Sequence, residues 1–137
     1  MDECIFCKII AGEIPSSTVY EDQDIKAFLD ITQVTKGHTL VVPKTHYRSL
    51  LEMDDQASAQ LFRKIPMIAQ HLKDRLGAAG MNVINNSEEA AGQTVFHTHV
   101  HLLPRFNQED GLKIQFTAHE PDFEALAQLA QELKIGD

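Results

Sequence analysis

Histidines and apolar or β-branched residues alternate in the segment Phe96-His97-Thr98-His99-Val100-His101-Leu102. Successive side chains of a β-strand point to opposite faces, so this alternation predicts a strand with one apolar face. The other face then carries His97, His99 and His101 in one row, with neighbouring side chains about 7 Å apart. Shared protons, a bound anion or a metal ion would each stabilise such a row, and the alternation alone leaves all three open.

Short apolar runs elsewhere in the chain predict further strands. Residues 18–21, 25–29 and 39–42 are β-branched or apolar and are bounded by Gly, Pro, Asp or Gln. Residues 81–85 form another such run, and the histidine segment extends the pattern over 95–103. Because most of these strands are joined by short turns and not by helices, we predict a mainly antiparallel sheet of the α+β class.

A helical period begins at Asp54. Apolar residues then recur every three or four positions, at Ala57, Leu61, Ile65, Ile68, Leu72 and Leu76. Asp54 is a suitable N-cap and Gly77 a suitable C′ residue, while Pro66 lacks a backbone donor, so one long helix with a bend is predicted. A C-terminal amphipathic helix is predicted from Pro121, with one side formed by Phe123, Leu126, Ala130 and Leu133.

Composition sets limits on the class of protein. The chain has 137 residues, 43% of them hydrophobic and 23% charged, which predicts one domain over 1–137 with a core that needs no disulfide. The net charge of −8 disfavours binding to nucleic acid through many phosphate contacts. The start Met1-Asp2-Glu3-Cys4 lacks the regions of a signal peptide, and no apolar run approaches the roughly 20 residues that span a bilayer. We therefore predict a cytoplasmic protein with no membrane role.

Cys4 and Cys7 are the two cysteines of the chain and are separated by two residues. In a reducing compartment this spacing favours metal ligation or redox chemistry over a structural disulfide. Two cysteines supply half of a tetrahedral zinc site, whose other ligands would be histidines or carboxylates. A thioredoxin-like redox pair requires a βαβ context that this N-terminus lacks, and two unliganded buried thiols remain the alternative.

The histidine row is suited to phosphoryl transfer. Near neutral pH imidazole can be a nucleophile, a proton donor and a phosphate ligand. The loop before the row, residues 88–94, contains small residues and Gly92, which let backbone N–H groups approach a phosphate, and Thr94 adds a hydroxyl. The alternative interpretation of this loop is an ordinary surface connection. The isolated histidines His71 and His119 are interpreted as ordinary surface or core residues.

The segment from His97 to Leu103 resembles the signature His-φ-His-φ-His-φ-φ of the histidine triad (HIT) superfamily, in which φ is apolar, although Thr98 is only partly apolar. Other parts of the chain also resemble the bacterial Hit/Hint-like branch with an N-terminal Cys-x-x-Cys, namely residues 4–10, 12–15, 27–31, 37–44 and 91–95. The resemblance covers nearly the whole chain, and the C-terminal helix is its least diagnostic part.

The resemblance implies a HIT-like fold, with a five-stranded antiparallel sheet, one long helix and a C-terminal helix, and a sheet extended across a homodimer. It also implies a purine nucleotide ligand and nucleotidyl transfer or hydrolysis at the α-phosphate. The catalytic residues implied are His99, His101, His97, His38 and Thr94. His99 matches the nucleophile that forms a nucleotidyl-histidine, His101 the residue that contacts the phosphoryl oxygens, and Thr94 a residue near the phosphate and leaving group.

The nucleotide-binding residues implied are Phe6, Phe28, Asp30, Ile31, Asn86, Gly92, Gln93, Thr94, His99 and His101. In this resemblance Asp30 binds the ribose hydroxyls, and Asn86 lies beside the phosphate. The resemblance further implies a structural zinc ion, and the ligands carried over are Cys4, Cys7, His46 and His97. Such a site would orient the strand that carries His99 and would not act as a Lewis acid.

These implications leave several functions open. The first is hydrolysis of purine nucleoside phosphoramidates or related derivatives of nucleoside 5′-monophosphates. The second is hydrolysis of dinucleoside polyphosphates, because residues 89–94 and 103–105 also resemble the fragile-histidine-triad branch. A nucleotide-binding adaptor with vestigial catalysis is the third, and a metal binder that uses the three histidines directly is the fourth.

Overall fold

The structure is a computed structural model that describes residues 3–136. Its strands are β1 (Thr18–Glu21), β2 (Ile25–Leu29), β3 (Thr39–Pro43), β4 (Gly80–Asn85) and β5 (Val100–Arg105). Its helices are α1 (Ile5–Ile10), α2 (Asp55–Phe62), α3 (Ile65–Leu76) and α4 (Phe123–Leu133), with short 3-10 turns at Leu50–Glu52 and Glu89–Ala91. Met1, Asp2 and Asp137, which the predicted domain 1–137 includes, lie outside the described residues.

The five strands form one antiparallel sheet in the order β1-β2-β3-β5-β4. The core between the sheet and the helices α2 and α3 contains Ile25, Ala27, Val41, Leu61, Ile65, Ile68, Leu72, Val100 and Leu102. A second cluster, which includes residues of α1, β2 and β3, contains Phe6, Ile9, Phe28, Leu40 and Val42. The predicted α+β class with a five-stranded antiparallel sheet is confirmed.

Strand pairing places His101 on the face of the sheet that α1 covers. Leu40 in β3 pairs with Phe28 on one side and with His101 on the other, and directly paired residues share a face. Val100 and Leu102 lie in the core under α2 and α3, on the opposite face. The predicted alternation therefore holds within β5, and it separates an apolar face from a face available for chemistry.

The predicted strand over 95–103 is wrong in its first part, because β5 begins at Val100. Before that point the backbone bonds to a loop and not to a neighbouring strand: the Thr98 N–H donates to the Tyr47 carbonyl at 2.8 Å. The Thr98 hydroxyl donates to the same carbonyl at 3.1 Å. This contact holds the segment that carries His97 and His99 close to the loop after β3.

The single long helix predicted from Asp54 is also wrong, since the structure has two helices, α2 and α3, separated at residues 63–64. Pro66 lies in the first turn of α3, where its missing N–H costs no hydrogen bond within the helix. The predicted N-cap is confirmed, because the Asp54 carboxylate accepts from the Ala57 N–H at 2.8 Å. Gly77 ends α3 in the left-handed conformation, with φ of 68°.

The predicted C-terminal amphipathic helix is present as α4, and Asp122 caps it by accepting from the Ala125 N–H. Its apolar residues Phe123, Leu126, Leu129 and Leu133 are all exposed, as is the whole segment 113–136. An apolar helical face of this kind gains stability when another surface covers it. Within residues 3–136, no helix has the length and apolar character needed to cross a membrane.

Candidate active site and metal centre

His99 is held by its own neighbour in the chain. Its Nδ1 lies 2.8 Å from the His97 carbonyl oxygen, and a carbonyl can only accept, so Nδ1 carries the hydrogen and donates it. The Nε2 of His99 is therefore left with a free lone pair. Burial lowers the pKa of His99, which keeps the ring neutral near pH 7. A neutral imidazole with a free Nε2 is the form that can attack an electrophile such as phosphorus.

His38 and His101 form a hydrogen-bonded pair beside His99. The Val34 backbone N–H donates to Nδ1 of His38 at 3.3 Å, so the hydrogen of His38 resides on Nε2. That Nε2 lies 2.9 Å from Nδ1 of His101 and donates to it. The hydrogen of neutral His101 is consequently on Nε2, where it can be donated to a ligand. The ring centres of His101 and His99 are 5.0 Å apart, so this donor belongs to a ring in contact with that of His99.

Burial also controls the charge of this pair. Burial, together with the neighbouring His99 and His38, lowers the pKa of His101 to about 4, although Asp30 acts in the opposite direction. Burial likewise lowers the pKa of His38. Near neutral pH both rings are therefore uncharged, and they contribute hydrogen bonds and not positive charge.

Asp30 stands at the end of β2 next to this pair. Its Oδ1 accepts from the Thr32 hydroxyl at 2.6 Å and from the Thr32 N–H at 2.7 Å, while Oδ2 lies 3.7 Å from Nε2 of His38. Burial raises the pKa of Asp30, but the side-chain and backbone hydrogen bonds from Thr32 oppose it, and the pKa lies below its usual value. Asp30 is thus an ionised acceptor.

Asp30, His38 and His101 also bring three potential metal ligands within 4.8 Å of one another. A metal on Nε2 of His38 would require the hydrogen to move to Nδ1. That hydrogen would then face the Val34 N–H, and two donors would point at each other. The local hydrogen bonds therefore favour a hydrogen-bonded pair at this position over a metal site.

A cavity of about 790 Å³ opens between α1 and the end of β2. Its walls include Ile5, Phe6, Ile9, Pro15, Ser16, Ser17, Phe28, Leu29, Asp30, Ile31, Gln33, Leu40 and Val95. Most of these residues are apolar, and Asp30 supplies a charged group at the edge. Ligand pockets typically have volumes of about 300–1,000 Å³ with mainly apolar walls and few polar groups, so this cavity has the size and character of a small-molecule site.

Cys4, Cys7, His46 and His97 form a second group of ligands that could hold a metal ion. The Nδ1 atoms of His46 and His97 are 3.2 Å apart, and three of the four Sγ to Nδ1 distances are 3.3, 3.4 and 3.6 Å. A tetrahedral zinc ion about 2.0 Å from nitrogen and about 2.3 Å from sulfur requires N–N separations of about 3.3 Å and S–N separations of about 3.5 Å. The four side chains therefore fit zinc without rearrangement.

His97 links this metal centre to His99. Its Nε2 donates to the Pro43 carbonyl at 2.8 Å, which leaves the lone pair on Nδ1 directed at the cysteines and His46. Its backbone carbonyl accepts the hydrogen bond from His99. Burial and the hydrogen bond with Cys4 together raise the pKa of the Cys7 thiol to about 11, so a metal ion must displace a proton to bind.

The loop after β4 is held by a buried amide and a surface ion pair. Gln93, only 2% exposed, accepts from the Glu88 N–H at 2.7 Å and donates to the Arg48 and Val95 carbonyls. Glu88 has φ of 74° and ψ of 161°, a region that is essentially restricted to glycine. Arg48 makes a bidentate bond to the Glu88 carboxylate, and it also stacks on the Phe96 ring.

The histidine cluster and the sheet can be compared with known proteins. A family model described as the HIT domain matches residues 11–108. The chain belongs to the HIT family. This finding confirms the resemblance inferred from the histidine alternation, and with it the coarse functional class, since the family is one of nucleotide-binding hydrolases.

Relatives of this HIT chain occur in bacteria and yeast. It is 50% identical over 122 residues to the protein named hit of Bacillus subtilis, which covers 89% of this chain and 84% of that protein. A crystal structure from Streptococcus mutans has 59% identity and a TM-score of 0.94, and covers 98% of this chain and 85% of that one. The adenosine 5′-monophosphoramidase of Saccharomyces cerevisiae is 39% identical over 130 residues, covering 95% of this chain and 80% of that enzyme.

The HIT structure brings most of the predicted site residues together in two groups. Phe6, Phe28, Asp30 and Ile31 line one cavity. The histidines lie next to two of these residues: His99 contacts the Phe6 ring, and His38, which bonds to His101, is 3.7 Å from Asp30. In the loop after β4, Gly92 lies next to the Asn86 amide, Thr94 is exposed, and the side chain of Gln93 is occupied by bonds within the protein.

Sequence reasoning missed several supporting groups. The Asn85 side chain donates to the His99 carbonyl at 2.9 Å, so it fixes the backbone on the other side of His99. Val34 sets the hydrogen position of His38 through its backbone, which no side-chain pattern reveals. Asn85 ends a predicted strand beside the conspicuous Asn86, and this position next to a candidate residue was the one available signal.

The stability of this HIT protein is expected to fall as the pH is lowered from about 6.5 to about 4. Unfolded His101 takes up a proton near 6.5, whereas the buried ring resists protonation until about pH 4. The unfolded chain therefore binds more protons in this window, and stability is lost as the pH falls. Urea denaturation at pH 7 and pH 5 measures the loss, and the variant His101→Gln should show a smaller difference. An equal difference in both proteins would contradict the expectation.

Proposed function

We propose that this protein hydrolyses purine nucleoside phosphoramidates at the α-phosphate through a nucleotidyl intermediate on His99. The observation that carries the proposal is the hydrogen bond from Nδ1 of His99 to the His97 carbonyl, which leaves a neutral ring with a free Nε2. Membership of the HIT family and identity to a yeast adenosine 5′-monophosphoramidase support the same substrate class.

In the first step, the Nε2 lone pair of His99 forms a bond to the α-phosphorus while the bond from phosphorus to the amine nitrogen breaks. The amine nitrogen leaves with the bonding electron pair and takes up a proton from the solvent, to which the second step returns one. The His99 ring becomes positively charged in this adduct, and its Nδ1–H remains bonded to the His97 carbonyl, which stabilises the charge. Nε2–H of His101 donates to a phosphoryl oxygen during the transfer.

In the second step, water attacks the phosphorus and the bond to His99 Nε2 breaks. The electron pair returns to Nε2, the proton of the water is released, and the nucleoside monophosphate leaves. The division of one hydrolysis into two transfers is ordinary covalent catalysis. Both steps use the same neutral donor, because the His38 and His101 hydrogen bond keeps the hydrogen of His101 on Nε2.

The nucleoside is proposed to occupy the cavity between α1 and β2. The Asp30 carboxylate accepts hydrogen bonds from the ribose hydroxyls, a role that its lowered pKa supports. Phe6, Phe28 and Ile31 contact the base, and Ile31, whose side chain is 98% exposed here, would lose that exposed apolar surface to the base. Asn86, Gly92, Gln93 and Thr94 form the loop on the phosphate side.

Zinc is proposed as the structural metal at Cys4, Cys7, His46 and His97. When bound, it supplies a closed tetrahedral anchor that ties α1 to the backbone of His97. The thiolates of the two cysteines balance the charge of the ion, and the bond from His97 to the Pro43 carbonyl orients the ring. His97 is thus placed to position His99 while its own ring takes no part in the transfer.

A homodimer in the cytoplasm is proposed as the working form. Strand β4 is at the edge of the sheet and α4 presents an uncovered apolar face, so a second copy could extend the sheet and cover the helix. The edge strand and the uncovered helix face both favour association between two copies of the chain. The net charge of −8 favours a small-molecule ligand over a nucleic acid.

The test is a comparison of AMP release from adenosine 5′-phosphoramidate and from a diadenosine polyphosphate. We expect kcat/KM to be at least about tenfold higher on the phosphoramidate, equal to about 1.4 kcal/mol of activation free energy, because the yeast relatives at 35% and 39% identity are adenosine 5′-monophosphoramidases. A reversed ratio would favour the dinucleoside polyphosphate hydrolase. Very low rates on both substrates, with tight AMP binding, would favour the nucleotide-binding adaptor and contradict the proposal.

A further inference from the structure

The loop from Asp30 to His38, which joins β2 to β3, contains a side chain whose hydrogen bonds within residues 3–136 are all made to the loop itself. Nε2 of Gln33 donates to the Asp30 carbonyl and to the His38 carbonyl, each at 2.7 Å. Its Oε1 accepts from the Gly37 N–H, also at 2.7 Å. One amide therefore ties together the first and last residues of the loop, and those two residues belong to the candidate active site.

The three bonds fix the orientation of the Gln33 amide. Both of its hydrogens are used on carbonyl oxygens, so the nitrogen cannot exchange places with Oε1 without setting three oxygens against one another. With the amide in place, the peptide between Gln33 and Val34 is held next to His38. The Val34 N–H of this peptide is the donor that fixes the hydrogen of His38 on Nε2.

A second contact supports the loop from outside. Gly111 has φ of 105°, and a Cβ at this position would overlap the Val34 carbonyl oxygen. The turn that carries Gly111 is rigid, because Arg105 donates to the Asp110 carboxylate and to the Leu112 carbonyl at 3.0 Å. The bond with Arg105 lowers the pKa of Asp110 to about 2, so this ion pair persists over the working pH range. Val34 is therefore confined on both sides.

We propose that Gln33 is a positioning residue that holds the Val34 N–H on His38 and so keeps His38 as a donor to His101. Gln33 acts through the loop backbone and does not contact the reacting atoms. The structural part of this inference stands by itself, and its catalytic part rests on the function proposed above. Because the same amide holds the Asp30 carbonyl, its loss also loosens the carboxylate proposed to bind ribose.

Two variants separate the donor role of the amide from its bulk. Gln33→Ala removes the three bonds, whereas Gln33→Glu keeps the length and the acceptor for Gly37 but places an oxygen against two carbonyl oxygens. We expect kcat for AMP release to fall about tenfold in Gln33→Ala, which corresponds to an increase of about 1.4 kcal/mol in activation free energy. In Gln33→Glu we expect kcat to fall further. Gln56→Ala, the same truncation on the exposed face of α2, is the matched control and should retain the wild-type kcat.

The resting protein supplies a readout that does not depend on activity. In the wild type we expect 15N NMR to show His38 with its hydrogen on Nε2 alone, and hydrogen exchange to show a protected Val34 amide. Gln33→Ala should show both forms of His38 and a faster-exchanging Val34 amide, with an unchanged Tm. An unchanged His38 spectrum and unchanged Val34 protection would overturn the inference. If these signals change but the wild type releases no AMP, the positioning role stands and the proposed function fails.

Discussion

The variant His99→Ala is expected to release AMP from adenosine 5′-phosphoramidate at least about 10⁴-fold more slowly than the wild type, which is the scale on which enzymes lose rate when their nucleophile is removed. Alanine has no lone pair to attack phosphorus, and the nearby His101 cannot replace it, because the hydrogen bond from His38 leaves its Nε2 protonated. The backbone that holds residue 99 should be little changed, since Asn85 bonds to its carbonyl.

The measurement is a rapid quench of enzyme mixed with excess adenosine 5′-phosphoramidate, followed by intact mass and peptide mapping. The wild type should carry one AMP on the peptide that contains His99, and His99→Ala should carry none. His71→Ala changes an exposed histidine of α3 and is the matched control, which should form the adduct at the wild-type rate. An adduct that persists in His99→Ala, or that maps to another histidine, would contradict the assignment of the nucleophile.

The double variant Cys4→Ser, Cys7→Ser is expected to lose its bound zinc, and its Tm is expected to fall by at least about 5 °C. A metal ion that binds the folded chain but not the unfolded chain adds its binding free energy to the stability of the fold. The four ligand atoms have the separations that zinc requires, so removal of both sulfurs leaves two neutral imidazoles, too few for a structural site. Metal analysis by mass spectrometry and a thermal melt measure the two effects.

Two histidine variants decide where the metal lies. His46→Ala should reduce the zinc content, because its Nδ1 is 3.2 Å from Nδ1 of His97. His99→Ala should leave the zinc content unchanged, since the Nδ1 of His99 is occupied by a carbonyl and its Nε2 is proposed to face the substrate. Loss of zinc in His99→Ala would instead support the view that the three histidines bind the metal directly.

Much of the fold could be predicted from local patterns. The alternation of Val100, His101 and Leu102 reflects the two-residue period of a strand, the mainly apolar runs of β2 and β3 reflect buried strands, and Asp54 and Gly77 reflect the chemistry of helix ends. These features depend on neighbouring residues alone. Residues close in sequence therefore identified the elements and the face of β5 that carries His101.

The errors arose where distant contacts decide the local structure. Residues 95–99 have the composition of a strand, but Thr98 bonds to Tyr47, which lies 51 positions earlier. The break between α2 and α3 at residues 63–64 places Pro66 in the first turn of a helix and not in the interior of one. The apolar residues recur with the same spacing in both cases, so the pattern does not distinguish them. No local rule distinguishes these alternatives, because the competing bonds come from elsewhere in the fold.

The candidate site shows the same division. The histidines and Asp30 could be chosen from their chemistry and from the resemblance to a family. The groups that set their protonation, namely the carbonyls of His97 and Pro43 and the N–H of Val34, are backbone atoms that every residue possesses. The sequence contains no mark of such atoms, so the hydrogen positions in the site emerge only from the three-dimensional structure.

His97 contributes to two sites with two different parts of one residue. Its ring faces the metal ligands, while its main-chain oxygen holds the nucleophile. Any amino acid at position 97 would retain that oxygen. The proposed catalysis thus requires a particular path of the chain at this position, whereas the proposed metal site requires the imidazole, whose Nε2 also donates to the Pro43 carbonyl. A lineage that lost its metal could exchange the first histidine of the triad for another residue and keep its chemistry, provided that its packing held the chain in the same path.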